Sequence, residues 1–396
     1  MRSSHALTAI ALLWLAGNAL RLPVLAVPPV LPAVQADLAM SGTQIGILTG
    51  LPVILFAVAA LPGSLLIARI GAMQALVAGL LLAALGSAMR GGATGVMLLY
   101  GATGIMSAGI AVMQPALPAL VRDWLPDRVG FATAVYTNGL IVGEFVPVML
   151  MLPVILPIMG GSWRWALAFW AVPLVAIAVL FVAFAPPSAA ASAKVSEARP
   201  RWWPDWRDSL VWRLSLMLGS VNSAYFGVNA FLPGYLQEAG RPDLIANTLT
   251  AVNLGQLPAS LLLLALASRL ERQTWPLVVA SLACLGCLAG IVTTASAWTV
   301  AFAAGLGFFA GGTLVLCLAL PLLLQAPGDV ARTSAAMFAV GYAEAMLTSV
   351  LGGAAWDLTG SAAFAFLPIA LGLVPLVFLP ATIRFPSTRP SVAASP

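Results

Sequence analysis

The chain has 396 residues, of which 61% are hydrophobic and only 8% are charged, and its mean hydropathy is +1.01. Since soluble domains carry about 25% charged residues, this composition excludes a water-soluble protein and predicts one built largely within a lipid bilayer. The net charge of +5 does not indicate nucleic-acid binding, because the basic residues lie in short loops between apolar runs. The single histidine, His5, excludes both a His-based metal site and a buried histidine proton relay.

The first apolar run follows Arg2 and at its start imitates a secretory signal peptide, with LAG as a possible cleavage site. The run continues past Arg21 to Val34, which is longer than the apolar region of a signal peptide. We therefore interpret it as the first membrane-spanning helix, uncleaved. Prolines interrupt its outer half and free backbone carbonyl groups, which is tolerated where the backbone lines a cavity.

Twelve apolar runs follow one another along the chain, each a candidate to cross a bilayer as a helix. The first six are predicted at 7–32, 46–68, 73–90, 95–119, 132–156 and 164–184. The second six are predicted at 209–233, 246–267, 275–293, 298–323, 334–354 and 362–381. The longest polar stretch separates the two sets, so we predict an N-terminal half (1–185), a linker (186–208) and a C-terminal half (209–396). The predicted fold class is an all-α polytopic membrane protein with twelve transmembrane helices.

The charges of the loops predict how the chain is oriented in the membrane. Arginine and lysine lie mainly in the loops that share a side with both termini and the linker. The opposite side holds Arg90, Arg164 and Arg241. Because positively charged loops stay in the cytoplasm, both termini and the linker are predicted to be cytoplasmic.

Polar residues near mid-depth distinguish two kinds of helix. The third, sixth, ninth and twelfth runs carry no charge or amide in their interiors, whereas other runs do. The polar set consists of Asn18, Arg21, Gln114, Tyr136, Asn138, Glu144, Asn222, Tyr225, Asn229, Asn253, Gln256, Tyr342 and Glu344. Polar groups are costly in hydrocarbon, so this set predicts a hydrated centre, with every third helix facing lipid. The alternative is that amides such as Gln114, Asn138 and Asn253 only hold helices together.

Three stretches resemble the major facilitator superfamily of transporters. They are NALRLPVLAVPPVLPAVQADLAMSGTQIGILTGLPV, LPALVRDWLPDRVGFATAVYT and SAAMFAVGYAEAMLTSVLGGAAWDLTGS, which together touch both halves. Their motifs are similar to the branch of cyanate permeases and nitroimidazole exporters. The resemblance implies two pseudo-symmetric six-helix halves, a bacterial inner-membrane location, and gating positions at Gly63, Arg69, Gly71, Asp127 and Arg128. The superfamily's loop between the second and third helices also carries an acid, which this chain lacks.

Arg21 is the one charged residue in the stretch 17–32, and Asn18 shares its helix face three residues earlier. A guanidinium can bind a planar anion through two parallel hydrogen bonds, so Arg21 predicts an anion site. The substrate-binding residues predicted with it are Asn18, Gln114, Tyr136, Asn222, Tyr225, Asn229 and Tyr342. The alternative is a structural Arg21 that is permanently paired with Glu144.

Glu144 and Glu344 occupy comparable places near the middle of the fifth and eleventh runs. With Arg21 charged, protonation of one of the two acids leaves the membrane interior neutral. We therefore predict that these acids couple the binding of a proton to the binding of an anion. In the alternative, either acid is a neutral hydrogen-bond donor that joins two helices.

The sequence contains no phosphate-binding glycine loop before a lysine, no metal-ligand cluster and no histidine for a nucleophile to use. It therefore predicts no enzyme and no cofactor, and it favours secondary transport over an ATP-driven pump.

The leading hypothesis is a monomeric, proton-coupled symporter of a small organic or inorganic anion, such as a cyanate-like ion or a small carboxylate, that works by alternating access. One alternative is proton-antiport efflux of small aromatic or nitroimidazole-like drugs, using the two acids and the tyrosines of the polar set. A membrane sensor or assembly subunit is disfavoured because the linker and termini leave no room for an output domain.

Overall fold

The computed structural model describes residues 3–58, 66, 67, 69–186, 203–270, 272–294, 297–325 and 329–385. Within these ranges the chain is almost entirely helical and contains no strand. Nine helices of the described residues are long and apolar enough to cross a membrane, and a shorter apolar helix covers Gly42–Val58. The fold is therefore the all-α polytopic membrane fold that the composition predicted.

The helices form two sets of six. The first set consists of α1 (Ala6–Leu38), α2 (Gly42–Val58), α3 (Ala72–Gly92), α4 (Val96–Trp124), α5 (Phe131–Ile158) and α6 (Trp163–Phe184). The second set consists of α7 (Ser209–Glu238), α8 (Ile245–Leu254 and Gln256–Leu270), α9 (Trp275–Thr293), α10 (Trp298–Leu324), α11 (Val330–Thr359) and α12 (Ala362–Thr382). We call the side on which α6 ends and α7 begins the linker side, and the opposite side the far side. Most of the predicted linker lies outside the described residues, so the exact division of the chain into halves stays a prediction.

Several helices extend beyond the apolar runs from which they were predicted. Helix α2 begins at Gly42 rather than at residue 46, α7 continues to Glu238 rather than to 233, and α11 covers Val330–Thr359 rather than 334–354. The predicted ends were wrong because an apolar run marks only the part of a helix within hydrocarbon. Backbone hydrogen bonding continues the helix through polar residues at the membrane surface. The predicted end of the second run, at residue 68, lies outside the described residues.

Helix α1 is interrupted rather than continuous. The helical segment that opens it begins before the membrane span and covers Ser3–Ala19; the next segments are Leu22–Leu25 and Leu31–Leu38, with a 3-10 turn at Pro28–Val30. The prolines of this region lack the amide hydrogens that a continuous α-helix requires, so carbonyl groups of the preceding turns lose their usual partners. The first interruption places Arg21 between two helical segments, near the middle of the span.

The helices predicted to face lipid carry large apolar side chains on their outer surfaces. In α6, for example, Val172, Val179 and Val182 are exposed. Helices α3, α9 and α12 likewise expose leucine, valine or phenylalanine side chains. Apolar surface of this extent is unfavourable in water but is accommodated by lipid tails.

The two halves are in close contact on the far side, where the end of α11 meets the beginning of α2. There the Asp357 carboxylate accepts a hydrogen bond from the Gly42 N–H through Oδ1. Its Oδ2 accepts the Thr43 N–H at 2.8 Å and the Thr43 hydroxyl at 2.6 Å. A carboxylate is favourable at a helix N-terminus because it satisfies free N–H groups and faces the positive end of the helix dipole. This contact connects the halves where the far side closes.

On the linker side the halves separate around a cavity of about 500 Å³. The first half contributes Phe56 and Gln114 to its wall, and the second half contributes Phe338 and Tyr342. Trp206, shortly before α7, also lines this cavity. The two halves are thus in contact on the far side and enclose a cavity on the linker side.

Candidate functional site

Close packing of α1 against α5 determines what Arg21 faces. A Cβ at Gly143 of α5 would overlap the backbone of Asn18 in α1, so only glycine allows this approach. Both helices run from the linker side to the far side, and their contacts therefore advance in parallel. About one turn beyond Asn18, Arg21 meets the residue after that glycine, Glu144.

Arg21 and Glu144 form a buried ion pair. Arg21 Nε lies 3.2 Å from Glu144 Oε1, and the two side chains are 11% and 5% exposed. The second carboxylate oxygen, Oε2, accepts a hydrogen bond of 2.8 Å from Gln256 Nε2 in α8. Because α5 and α8 belong to different halves, this bond joins the halves at the site. The pairing is the one that the structural alternative for Arg21 requires.

The ion pair leaves several hydrogen-bond donors unused. Arg21 Nη1 is buried and has no hydrogen-bond acceptor among the described residues, and the same holds for Asn222 Nδ2 in α7. Arg21 Nε is also buried; it faces Glu144 Oε1 in the ion pair but forms no hydrogen bond with a described residue. Both residues line one cavity of about 30 Å³, together with Glu144, Tyr225 and Gln256. By the measure of about 10–15 Å³ per water molecule, this cavity has room for a few small atoms. Buried donors are normally paired, so the cavity is suited to a small group that accepts hydrogen bonds.

Aromatic rings enclose the Arg21 guanidinium. Its central carbon, Cζ, lies 5.6 Å from the centroid of the Phe56 ring and 5.7 Å from that of Phe226. Tyr342 packs edge-on against Phe56 with a centroid distance of 5.9 Å. Both Tyr342 and Tyr225 are close enough to interact electrostatically with the guanidinium. Ring faces attract a cation and exclude water, so they stabilise the charge and strengthen any hydrogen bond it donates.

Some of the predicted substrate-binding residues lie elsewhere. Asn18 donates its amide to a backbone carbonyl of its own helix at 2.9 Å. Gln114 lines the linker-side cavity, as does Tyr342. Tyr136 presents its backbone carbonyl to Gly17 of α1, in the same helix contact that positions Arg21. The structure therefore brings Asn222, Tyr225 and Tyr342 to the surroundings of Arg21, with Tyr342 also in the wall of the linker-side cavity. The other predicted residues are distributed around the site.

Three polar side chains form a network between α7 and α8. The Tyr225 hydroxyl donates to Asn253 Oδ1 at 2.6 Å, and Asn253 Nδ2 donates to Asn229 Oδ1 at 2.9 Å. Asn229 Nδ2 in turn donates to the Tyr225 carbonyl at 2.9 Å. Here the amides do join helices, as the alternative interpretation of the polar set supposed, while Tyr225 also lines the Arg21 cavity.

Glu344 lies in different surroundings from Glu144. Its carboxylate packs against Gly219 of α7, within the second half. It forms no ion pair with a described residue, and its buried Oε2 has no hydrogen-bond partner among them. Glu344 is also not part of the wall of the Arg21 cavity. The two central acids are therefore in separate places.

The predicted gating positions that the structure describes, Arg69, Gly71, Asp127 and Arg128, lie on the linker side, apart from the cavity. Gly71 begins the helical part of α3 with φ +88°, a backbone conformation that favours glycine. Arg69, Asp127 and Arg128 are exposed. Gly63 lies outside the described residues. A latch at these positions stays a prediction.

Arg90 is the buried charged residue near the site that sequence reasoning did not single out. The loop charges predicted it at the membrane surface, but its side chain is fully buried. Its Nη1 donates to the Pro23 carbonyl at 2.8 Å, and its Nη2 contacts the sulfur of Met106. A 3-10 turn, Arg90–Gly92, continues α3, and the Arg90 side chain is buried in the bundle; the side of the membrane assigned to this loop stays a prediction. The available signal was the proline-rich part of α1, whose freed carbonyl groups require donors from other helices.

Comparisons with known proteins agree with this architecture. The Major Facilitator Superfamily model matches residues 13–342. The cyanate transport protein CynX of Escherichia coli K12 is 26% identical over 381 residues, which cover 94% of this chain and 97% of that protein. The 2-nitroimidazole transporter of the same organism is 27% identical over 380 residues, covering 93% of each protein.

Solved structures give the same fold at lower identity. A bacterial homologue of the human lysosomal transporter Spinster, in an inward-facing and unoccupied conformation, superimposes with a TM-score of 0.74 at 16% identity over 96% of both chains. The nucleoside transporter NupG superimposes with a TM-score of 0.74 at 12% identity, over 95% of this chain and 98% of that one. At these identities the likeness shows the fold alone.

Proposed function

Because the chain belongs to the Major Facilitator Superfamily, we propose that it carries a small organic or inorganic anion across the membrane by alternating access coupled to protons. It is a membrane transporter of this superfamily and not an enzyme. The single observation that carries the anion proposal is the group of buried, unused donors on Arg21 and Asn222 in one cavity.

These donors favour an anion over a neutral or cationic substrate. A guanidinium presents N–H groups in one plane, which fits a carboxylate or a similarly flat ion. Asn222 supplies a further N–H from the other half, so one bound ion would contact both halves. The cavity of about 30 Å³ favours an ion of few atoms, such as cyanate or formate.

The charges around Arg21 support the proposed proton coupling. With Glu144 ionised and Arg21 charged, the pair is neutral. An anion that takes over Arg21 adds one negative charge, and protonation of Glu144 restores neutrality in the low-dielectric interior. Glu344, which has no cation partner among the described residues, is a second candidate proton carrier. Anion and proton would then move in the same direction.

The positions of the arginine and lysine residues support a cytoplasmic linker side and cytoplasmic termini. In this orientation the far side is external, and the linker-side cavity leads from the cytoplasm toward Arg21. The bacterial relatives support an inner-membrane location. The Arg21 cavity is formed by two halves of one chain, which is sufficient for a monomer to work.

Transport of radiolabelled cyanate and formate in proteoliposomes tests the anion site. Arg21→Lys keeps the charge but loses the planar arrangement of donors, so it should weaken binding while the protein still folds. Arg21→Ala should reduce anion binding about 10–100-fold, because it removes hydrogen bonds from a charged donor. Arg241→Lys is the matched control, since that arginine bonds to Thr294 and Thr299 far from the cavity.

The double variant Arg21→Ala with Glu144→Ala separates the anion site from a purely structural ion pair. If the pair only stabilises the fold, removing both charges should restore both expression and transport. The anion proposal expects restored expression without transport. Recovery of transport in the double variant would overturn it.

The closed far side can be tested independently of the substrate. Asp357→Ala removes three hydrogen bonds to the start of α2 and should increase labelling of a cysteine placed at Thr49 in a background without native cysteines. Glu238→Ala is the matched control, because Glu238 accepts the Ala362 N–H within the second half. Equal labelling of the two variants would argue against an Asp357 gate.

A second candidate substrate class is supported by the aromatic rings around Arg21. Phe56 packs against the guanidinium, and Tyr342 packs against Phe56. Both residues also line the larger linker-side cavity. A nitroimidazole could place its ring against these side chains and its two nitro oxygens at Arg21, for export in exchange for protons. Thermal-shift measurements should compare 2-nitroimidazole with cyanate. Stabilisation by 2-nitroimidazole alone, abolished in Tyr342→Leu, would favour export of aromatic compounds over anion transport.

A further inference from the structure

Arg90 is a second buried arginine, and unlike Arg21 it has no carboxylate partner among the described residues. Its contacts, the Pro23 carbonyl and the Met106 sulfur, supply no negative charge. Its Nε is buried and has no hydrogen-bond partner among the described residues. A buried cation without a counter-charge is unfavourable, so the arrangement suits an anion.

A cavity of about 20 Å³ adjoins Arg90 between α1, α2, α4 and α7. Thr103 of α4 belongs to its lining, and the Thr103 hydroxyl is buried and likewise has no hydrogen-bond partner among the described residues. Thr49 of α2 also lines the cavity, but its hydroxyl already bonds to the Ile45 carbonyl at 2.9 Å. The lining contains no acidic side chain. One N–H and one hydroxyl are therefore available to a bound anion.

We propose that Arg90 and Thr103 form a second binding station for the same small anion, between the Arg21 site and the far side. The inference rests on the proposed anion transport and adds a place at which the ion pauses on its path. Each station holds one arginine, one further donor and room for few atoms; the Arg21 station also contains the Glu144 carboxylate, whereas the lining of the Arg90 cavity contains no acid.

The face of α7 connects the two stations. Asn222 lines the Arg21 cavity, Asn229 lines the Arg90 cavity, and Phe226 belongs to the lining of both. Phe226 lies four positions after Asn222 and three before Asn229, so the three residues lie on one face of the helix, each about one turn from the next. The Phe226 ring therefore separates the stations, and its rotation would connect them.

The residues of helix α2 also place the Arg90 cavity between the far side and Arg21 along the membrane normal. Thr43 lies at the far-side closure, Thr49 at the Arg90 cavity and Phe56 at the Arg21 guanidinium. The Arg90 station thus lies just inside the contact with Asp357. An anion that enters when this contact opens would meet Arg90 before Arg21.

Equilibrium dialysis of the purified full chain with radiolabelled cyanate, nitrate and formate counts the anions bound per chain. We expect two sites in the unmodified protein and one in either Arg21→Ala or Arg90→Gln. Thr103→Val keeps the shape of the side chain and removes a hydroxyl that no described residue uses. It should weaken one of the two sites about tenfold, because it removes one hydrogen bond to a charged ligand. Thr248→Val is the matched control and should keep two bound anions per chain, because the buried Thr248 hydroxyl bonds to the Leu244 carbonyl and Thr248 lines neither cavity.

The outcomes separate this inference from the proposed function. If Arg90→Gln fails to fold, Thr103→Val provides the test of the second station. Unchanged affinity at both sites in Thr103→Val overturns the second station. A single site that Arg21→Ala abolishes and Arg90→Gln retains would also overturn it, while leaving the Arg21 proposal intact. Normal binding by Arg21→Ala with loss in Arg90→Gln would overturn the Arg21 site and keep the second station. Binding of none of the three anions would overturn both.

Discussion

Glu144 in α5 and Glu344 in α11 lie at corresponding positions in the two halves, but neighbouring helices give them different chemistry. Helix α1 presents Arg21 to Glu144 at 3.2 Å, and α8 adds a hydrogen bond from Gln256. The corresponding neighbour of α11 is α7, which presents Gly219 to Glu344. One acid is therefore held by a cation, and the other by close contact with a backbone.

The comparison shows that a repeated architecture does not repeat the function of its residues. In the proposed mechanism the ion pair makes Glu144 exchangeable, because an anion would replace it at Arg21. Glu344 has no such partner among the described residues, so its charge state depends on proton binding alone. The pseudo-symmetry sets the depth of both acids in the membrane, and the facing residue sets what each can do.

The largest expected difference between the acids is in stability. Glu144→Ala leaves Arg21 buried without its counter-charge and should lower the free energy of unfolding by about 3–5 kcal/mol. Thermal unfolding in detergent measures the loss, and adding Arg21→Ala should recover most of it. Cyanate or formate should stabilise Glu144→Ala more than the unmodified protein, since the anion replaces the missing carboxylate. An equal loss in Glu344→Ala would show that the ion pair does not distinguish the two acids.

The next effect concerns proton-driven accumulation. Glu144→Gln and Glu344→Gln each mimic a permanently protonated acid, so both should bring the accumulation ratio of the anion close to one. Exchange of labelled for unlabelled anion should continue, because it moves no net proton. Transport in proteoliposomes with an imposed pH gradient measures both activities. If both variants still accumulate the anion, the carboxyl groups are structural, and if only one does, the other acid carries the proton.

A smaller effect is expected where Glu344 packs against α7. A Cβ at Gly219 would overlap the Glu344 carboxylate, so Gly219→Ala should lower the free energy of unfolding by about 1–3 kcal/mol. Combining it with Glu344→Ala should relieve the overlap. Gly286→Ala in α9 is the matched control, because a Cβ there meets nothing within 4 Å. A loss in Gly219→Ala that Glu344→Ala does not relieve would place the overlap elsewhere.

The smallest effect is expected from removing the charge of Glu344 without changing its shape. Glu344→Gln breaks no ion pair formed with a described residue, so the free energy of unfolding should change by less than about 1 kcal/mol. Thermal unfolding next to Glu144→Gln provides the comparison. A loss of several kcal/mol would reveal an ionic partner for Glu344.

The amino-acid sequence alone determined the fold class and the first candidate residue of the site. Apolar runs long enough to cross a bilayer predict helices, because a backbone within lipid must satisfy its hydrogen bonds internally. Arg21 could also be predicted as a site residue, since burying a charge within such a run costs free energy. Both are properties of contiguous sequence and need no knowledge of which helices touch.

Only the tertiary structure decided which groups meet. Arg90 has the sequence pattern of a loop residue, and its burial depends on how the end of α3 packs against α1 and α4. At the start of α2, Asp357 accepts a hydrogen bond from Thr43, which lies 314 positions earlier in the chain. Likewise, Glu144 obtains Arg21 as a partner because a glycine allows α1 and α5 to approach, whereas Glu344 faces Gly219. Such pairings depend on the packing of distant helices, which composition and hydropathy along the chain do not encode.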